Sequence, residues 1–222
     1  MPESPNTGRL QTANLAYVVD DLIEMMAAQR AYLSEIDGAI GDGDHGINMS
    51  KGFTQARARI AARPSPPDLA GAFEDLALTL LEGIGGSMGP LYGGFFLALS
   101  EGLEGQPELT RENFGAALTA AVAAVQEVGG AQVGDKTLVD TLVPARDGYM
   151  AALEAGQDFG RCLDEMVAGA RRGQESTRDL QARVGRAARL GARSIGVLDA
   201  GATSCSFILE SLSESLRRGL RG

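Results

Sequence analysis

The sequence predicts an all-α protein, and three observations support this fold class. Apolar residues recur at helical spacing in about eight segments, which end at glycines, prolines or small polar residues. The sequence shows neither several strands of alternating apolar and polar residues nor a strand–helix–strand rhythm. The composition is 44% hydrophobic but only 5% aromatic, with no Trp, which indicates a core of Ala, Leu and Val. We therefore expect a single domain over residues 1–222, with residues 1–10 as a flexible N-terminal tail.

Each predicted helix follows from an apolar stripe and its flanking residues. Asp68 and Thr110 are the expected N-caps of two helices, because their side chains can accept a hydrogen bond from the first turn. Ser176 or Thr177 is the expected cap of a basic helix, and Pro144 is expected to kink or end the segment that starts at Leu138. The approximate helix ranges are 15–33, 47–60, 69–82, 95–101, 111–128, 138–153, 159–170, 178–190 and 203–216.

The stretch of residues 37–48 concentrates chemistry that suits a metal–phosphate site. It contains three aspartates, the only histidine and one asparagine within twelve positions, separated mostly by glycines. Glycine lets a backbone turn sharply and approach a ligand closely. Mg²⁺ takes carboxylate oxygens together with water and substrate phosphates, and a helix that starts after this stretch offers free N–H groups to an anion. An antiparallel bundle would gather this and the other glycine-rich loops at one end.

Three familiar sites are excluded by the spacing of the residues. The second glycine of a P-loop pattern, Gly134, is separated from Lys136 by an aspartate, and the preceding segment reads as helix, not strand. A calcium-binding EF-hand loop would need a glutamate at Phe53. His45 has no second histidine to form a zinc site. We expect Lys136 and Asp135 to form a surface ion pair or a helix start, whereas the six glycines of residues 82–94 fit either close helix packing or a ligand loop.

Charge and the two cysteines restrict the class of partner. The formal charge of −9 argues against a general nucleic-acid-binding protein, which needs a basic surface. From Arg171 onward ten Arg face five acidic residues, net +5, whereas the first 170 residues carry ten basic and twenty-four acidic residues, net −14, so the two parts can complement each other. No run of 18 apolar residues and no secretory signal is seen, so we expect a cytoplasmic protein without a membrane partner. Cys162 and Cys205 are expected to be buried thiols.

Residues 40–46, with the sequence IGDGDHG, resemble the nucleotide-binding L subunit of bacterial dihydroxyacetone kinases. Residues 85–93, 134–137 and 181–204 match the same family in the same order, so the resemblance extends over the length of the chain. It implies a single-domain antiparallel eight-helix barrel that binds ADP or ATP in loops at one end. This fold agrees with the number of apolar stripes.

The resemblance also implies which residues hold the ligands. Asp37, Asp42 and Asp44 match the ligands of two Mg²⁺ ions that bridge the nucleotide phosphates. Where the family usually has Asp-Pro-Gly, this chain has Ala200 in place of proline, which we expect to loosen the turn that closes over the nucleotide. The implied nucleotide contacts are His45, Gly46, Ile47, Asn48, Ser87, Met88, Gly129, Leu138, Arg186, Asp199, Ala200 and Gly201.

By resemblance the chain is half of an enzyme. It would transfer a phosphoryl group from Mg-nucleotide to dihydroxyacetone, or a similar short keto-sugar, which a partner K subunit holds covalently through one of its own histidines. Two phosphoryl sources stay open: an M-type phosphotransferase-system protein that rephosphorylates bound ADP, slightly favoured for a chain limited to the L module, or ATP. The alternatives are an ATP-dependent kinase subunit for another small ketose and a non-catalytic nucleotide-binding regulator. A plain helical scaffold with acidic loops would bind no nucleotide.

Overall fold

The computed structural model describes residues 8–221, and within them it has nine α-helices. Two short 3-10 helices, Thr12–Asn14 and Arg186–Ser194, and one pair of two-residue strands complete the secondary structure. The α-helices are α1 Tyr17–Ala28, α2 Arg30–Ile40, α3 His45–Ala61, α4 Leu69–Gly83, α5 Met88–Leu103, α6 Arg111–Gly129, α7 Val139–Glu154, α8 Phe159–Ser176 and α9 Ala200–Arg221.

The helices form a closed antiparallel ring. Helix α1 packs on α3, each helix from α3 to α8 packs on the next in sequence, and α9 packs on both α8 and α1. Helix α2 follows α1 after a single residue, Gln29, so the two count as one interrupted column and the ring has eight columns. The predicted all-α, eight-helix barrel is confirmed.

The ring interior is built mainly from aliphatic side chains and a small aromatic cluster. Phe96 of α5 lies with its ring centroid 5.3 to 5.8 Å from those of Phe53, Phe73 and Phe95. These four side chains are at most 3% exposed, so they join α3, α4 and α5 in one apolar core. Burial of each such side chain contributes on the order of 2 kcal/mol.

The predicted N-caps at Asp68 and Thr110 are confirmed. The Asp68 carboxylate accepts a hydrogen bond from the N–H of Gly71 at 2.9 Å. Thr110 and Asn113 form a reciprocal capping box at the start of α6. Helix α6 ends at Gly130, whose φ of 63° is the left-handed conformation that glycine adopts without strain.

The first helical column extends further than predicted. Instead of ending at Leu33, helix α2 continues to Ile40, because Leu33 and Ile40 extend the buried stripe past Gly38. Asp37 therefore lies in the last helical turn and not in a loop. Gly38 is tolerated inside this helix because tertiary packing stabilises it.

The local structure differs from the sequence prediction at three further places. Residues 178–190 do not form an α-helix: Gly185 has a positive φ, and the residues after it form the 3-10 helix Arg186–Ser194. The next α-helix begins earlier than expected, at Ala200. Pro144 lies inside α7, so of the two outcomes expected of it, a kink or a helix end, the helix end is wrong. A short antiparallel pairing of Leu10–Gln11 with Glu108–Leu109 was not anticipated.

The expected tail over residues 1–10 falls largely outside the described part of the chain. Residues 1–7 are not described, whereas Leu10 is 7% exposed and pairs with Leu109, so Leu10 is not part of a flexible tail. Among the helices of residues 8–221, none is long and apolar enough to cross a membrane.

Candidate functional site

Three aspartates converge where α2 ends and α3 begins. Asp37 lies in the last turn of α2, Asp42 in the connecting loop and Asp44 at the N-cap of α3. One carboxylate oxygen from each lies within 4.8 Å of the others. The loop needs glycine at two positions, since a Cβ at Gly41 would clash with the Asp37 carboxylate and Gly43 has a φ of +77°.

This donor set fits Mg²⁺. Three carboxylates so close together repel one another unless a cation lies between them, and oxygen ligands from carboxylates are those that Mg²⁺ prefers. The Asp44 side chain makes no capping bond to its helix, so its oxygens are free for a cation. The Arg186 guanidinium contacts the Asp42 carboxylate and lies 3.9 Å from Asp44, which adds a positive group at the same place.

His45 is a buried hydrogen-bonding residue directly after the aspartates. Its backbone N–H donates to the Asp37 carboxylate at 3.3 Å, and its ring Nε2 lies 2.9 Å from the hydroxyl of Ser204 on α9. That hydroxyl is 2.6 Å from the phenol oxygen of Tyr92 on α5. Burial lowers the pKa of His45 to about 4, against the opposing charge of Asp37, so the ring is neutral at pH 7. His45 thus fixes α3 to α5 and α9.

The other predicted residues of this first turn have different surroundings. Gly46 is buried, and a Cβ there would meet the backbone of Arg30 and Ser34 on α2, so close packing requires glycine. Ile47 is 46% exposed, and Asn48 is half-buried. The exposed edge of this turn therefore faces outward beside the aspartates.

The glycine-rich stretch of residues 82–94 has both of the roles that the sequence left open. Gly89 and Gly93 pack so closely on α4 that a Cβ would clash there. Gly85 and Gly86 have nothing within 4 Å of a would-be Cβ, and Gly86 has a φ of +70°, so they form an open loop. Ser87, which follows, makes no side-chain cap to α5. The free N–H groups of this helix start can therefore bind an anion.

Three other predicted contacts, Gly129, Leu138 and Gly201, lie at the end of α6, just before α7 and in the first turn of α9. Gly129, at the end of α6, lies so close to Leu91 of α5 that an added Cβ would be 3.0 Å from that side chain. Leu138 precedes α7, is 7% exposed and packs beside Gly201 of α9. The Tyr92 hydroxyl donates to the carbonyl of Gly201 at 3.2 Å, which links α9 to α5.

Ala200 does not undo the turn at the start of α9. The Asp199 carboxylate accepts a hydrogen bond from the N–H of Ala202 at 2.7 Å, and the Asp199 N–H donates to Thr177 Oγ1 at 3.0 Å. Ala200 occupies the first helical position, where proline is also favoured, so either residue fits. Burial raises the pKa of Asp199 to about 6, although the Ala202 N–H and the charge of Lys136 lower it.

The structure thus brings all the predicted site residues to one end of the ring, and it adds three that sequence reasoning missed. Tyr92 and Ser204 form the network around His45. Lys136 does not form a surface ion pair, which was one of the two roles expected of it. Its side chain is 1% exposed and donates to the carbonyls of Thr177 and Val197. The partners of Lys136 lie at least 41 residues away, so the spacing of residues could not predict them. The one available signal was that Lys136 lies in residues 134–137, which match the family.

Known proteins resemble this chain in sequence and in fold. A family model described as the DAK2 domain matches residues 39–214. A PEP-dependent dihydroxyacetone kinase 2, ADP-binding subunit DhaL, from Listeria innocua is 34% identical over 218 residues, covering 95% of this chain and 98% of the relative. An L-erythrulose 1-kinase from Mycolicibacterium smegmatis is 34% identical over 227 residues, covering 98% of this chain and 38% of the relative.

The crystal structure of the dihydroxyacetone kinase of C. freundii in its native form superposes with a TM-score of 0.69 at 25% identity. It covers 93% of this chain, which spans 35% of that longer protein. The chain belongs to the DAK2 domain family. The predicted resemblance to the nucleotide-binding L subunits of bacterial dihydroxyacetone kinases is confirmed over nearly the whole chain.

Proposed function

We propose that this chain is the nucleotide-binding subunit of a dihydroxyacetone kinase. It would hold Mg-bound ADP or ATP at the aspartate end of the ring, for transfer of a phosphoryl group to dihydroxyacetone on a partner. The observation that carries this proposal is the convergence of three carboxylates within 4.8 Å, at the same end of the ring as the uncapped start of α5. The name of the Listeria relative, an ADP-binding subunit, supports the same ligand.

Different residues of this chain would bind the metal ions, the phosphates and the adenine. Asp37, Asp42 and Asp44 would hold two Mg²⁺ ions, and when bound these ions neutralise charge that develops on the transferred phosphoryl group. The backbone N–H groups of Ser87 and Met88 would donate hydrogen bonds to phosphate oxygens. Gly129 and Leu138 would flank the adenine, where glycine leaves room and leucine offers an apolar surface.

The acceptor is proposed to be held elsewhere. His45 is the only histidine of the chain, is 7% exposed and has its Nε2 engaged by Ser204, so it is unsuited to carry a ketose covalently. This supports a partner K subunit that supplies its own histidine. The expected cytoplasmic location stays a prediction.

The phosphoryl source and the exact ketose form the finer part of the proposal. The Listeria relative matched over 98% of its length is named PEP-dependent, which supports bound ADP rephosphorylated by a phosphotransferase-system M subunit. The relative named L-erythrulose 1-kinase supports another small ketose as the alternative acceptor. Mass spectrometry of nucleotide retained through purification, followed by an exchange assay, separates the two sources. Tightly held ADP that does not exchange favours the M subunit, and free exchange with ATP contradicts it.

Thermal unfolding with and without Mg-ADP tests the nucleotide site directly. A ligand that binds only the folded chain at a hundred times its Kd stabilises it by about 2.7 kcal/mol. Asp44→Asn should lose this Mg-dependent stabilisation and keep its helical circular dichroism, because removing one of three repelling carboxylates costs the free protein nothing. Asp147→Asn, an exposed aspartate of α7, is the matched control and should respond like the wild type. No stabilisation of the wild type at millimolar Mg-ADP would contradict the proposed function.

A further inference from the structure

The segment of residues 177–197, which we name the arginine strap, connects α8 to α9 across the aspartate end of the ring. It carries five arginines and no α-helix. Its three glycines, Gly185, Gly191 and Gly196, have φ values of 72°, 55° and 94°. Its Arg186 contacts the Asp42 carboxylate, so the path of the strap decides where this guanidinium lies.

Lys136, in the loop between α6 and α7, binds both ends of the arginine strap. Its ammonium donates to the carbonyl of Thr177 at 2.5 Å and to the carbonyl of Val197 at 2.6 Å. The side chain is 1% exposed. It is also the single non-glycine residue of the described chain with a positive φ, 62°, a strained conformation that surrounding contacts must hold in place.

The loop that carries Lys136 is itself fixed to α7. The buried Asp140 carboxylate accepts hydrogen bonds from the N–H groups of Gly134 at 2.6 Å and Thr137 at 2.7 Å. The carbonyl of Asp135 accepts a hydrogen bond from the N–H of Arg183 at 3.1 Å. The strap is thus anchored at its two ends and at one inner point to a single rigid loop.

The buried ammonium has chemical reasons to be present. An unpaired cation is costly inside a protein, but here two carbonyls accept from it and the carboxylates of Asp199 and Asp140 supply opposite charge. Burial lowers the pKa of Lys136, and Asp199 works against that effect. An apolar side chain of the same length would leave the two carbonyls without a donor, which is unfavourable for buried groups.

We propose that Lys136 is a positioning residue for the nucleotide site. By joining the two ends of the arginine strap, it holds Arg186 beside the aspartates and Asp199 at the start of α9. The ligand-binding part of this inference rests on the proposed function, whereas the joining of the strap does not. Loss of the ammonium releases the strap and leaves the helical ring folded, because the strap contributes little to the apolar core.

Trypsin provides a local measure of strap release, because it cuts after the exposed arginines of the strap. We expect Lys136→Met to raise the rate of cleavage after Arg183, Arg186 and Arg189 at least tenfold, with cleavage after Arg57 on α3 unchanged. Methionine is as strained as lysine at a positive φ, so the variant changes the ammonium and not the backbone preference. Lys51→Met, at the only other lysine, which is exposed on α3, is the control and should match the wild type.

Affinity for Mg-ADP by calorimetry provides the second measure. Lys136→Met should raise the Kd for Mg-ADP at least tenfold. Lys136→Arg, which keeps a cation with N–H donors, should recover part of the lost affinity. Unchanged strap cleavage overturns the proposal, as does cleavage that rises equally at all arginines, since that result means general destabilisation. A Lys136→Arg variant as impaired as Lys136→Met also overturns it. If the wild type binds no Mg-ADP, the proposed function fails, and the cleavage rates still decide whether Lys136 holds the strap.

Discussion

Asp199 shows how a single residue can combine structural and electrostatic roles. It caps α9 through the N–H of Ala202, and its carboxylate faces the charges of Lys136, Asp140 and Asp37. Burial raises its pKa to about 6, above the ordinary value of 3.8. The unfolded chain therefore releases this proton at lower pH than the folded chain does. The resulting cost to the folded state appears as the pH rises from about 4 to about 6 and is constant above that.

Asp199→Asn should remove this cost and retain the cap, because asparagine is an equally good N-cap. We expect the free energy of unfolding of the variant, relative to wild type, to rise between about pH 4 and about pH 6 and then to level off, with a total gain of about 1 to 3 kcal/mol. Urea unfolding of both proteins over this pH range, without Mg²⁺ or nucleotide, measures the difference. A difference that does not vary with pH would contradict the raised pKa.

Helix α5 shows that glycines within one element have opposite effects on stability. A Cβ at Gly89 would clash with the backbone of Ile84, whereas a Cβ at Gly94 has nothing within 4 Å. The two positions lie in the same helix, which makes them a matched pair.

Gly89→Ala should lower the free energy of unfolding by about 1 to 3 kcal/mol through overpacking. Gly94→Ala should raise it by about 0.5 to 1 kcal/mol, because alanine is the better helix former. Thermal unfolding of the two variants in parallel gives the comparison. Equal effects at both positions would mean that α5 can move away from α4, and that the close contact is not needed.

At the level of helices and loops, apolar stripes predicted most elements because each stripe is local in sequence. The caps at Asp68 and Thr110 were predictable for the same reason. The arginine strap was mistaken for a helix because Leu180 and Val184 have helical spacing, whereas the positive φ values of its glycines depend on contacts with distant parts of the chain. The end of α2 was misplaced because the glycine-punctuated stretch from residue 37 was expected to interrupt the helix.

The candidate site divides in the same way. The three aspartates could be predicted because they lie within eight residues of one another. The network of His45, Tyr92 and Ser204 joins residues up to 159 positions apart, so spacing alone gives no signal for it.

Across the whole molecule, the basic C-terminal part complements the acidic remainder, as the charge distribution predicted. Arg183, Arg217 and Arg218 reach acids that precede residue 171, and Arg186 reaches the aspartate cluster. Most of these pairs are exposed, so each contributes at most about 1 kcal/mol. One of these pairs also helps to close the ring, because Arg218 and Ser215 of α9 both bind Asp21 of α1.

Helix α9 takes part in the site at its start and in ring closure at its other half, so ligand binding should be felt at both. We expect Mg-ADP at a hundred times its Kd to slow amide exchange about a hundredfold at α9 and α1 amides that exchange through global unfolding. Hydrogen–deuterium exchange with mass spectrometry measures this, with the exposed turn at Glu104 and Gly105 as the unaffected control. Slowing confined to α3 and α5 would mean that the ring does not act as one cooperative unit.

The contact between Gly219 and Leu10 places the first and last residues of the described chain, 8–221, at the pole opposite the aspartates. Helix α9 alone has 22 residues, a length of about 33 Å, so that pole is far from the aspartate end. A tag, a surface tether or a fused domain that joins the ring beside Leu10 or Gly219 therefore starts at the pole away from the aspartates. A tether long enough to reach the site must first run the full height of the ring, and this favours immobilising the chain at this pole when its partner is captured.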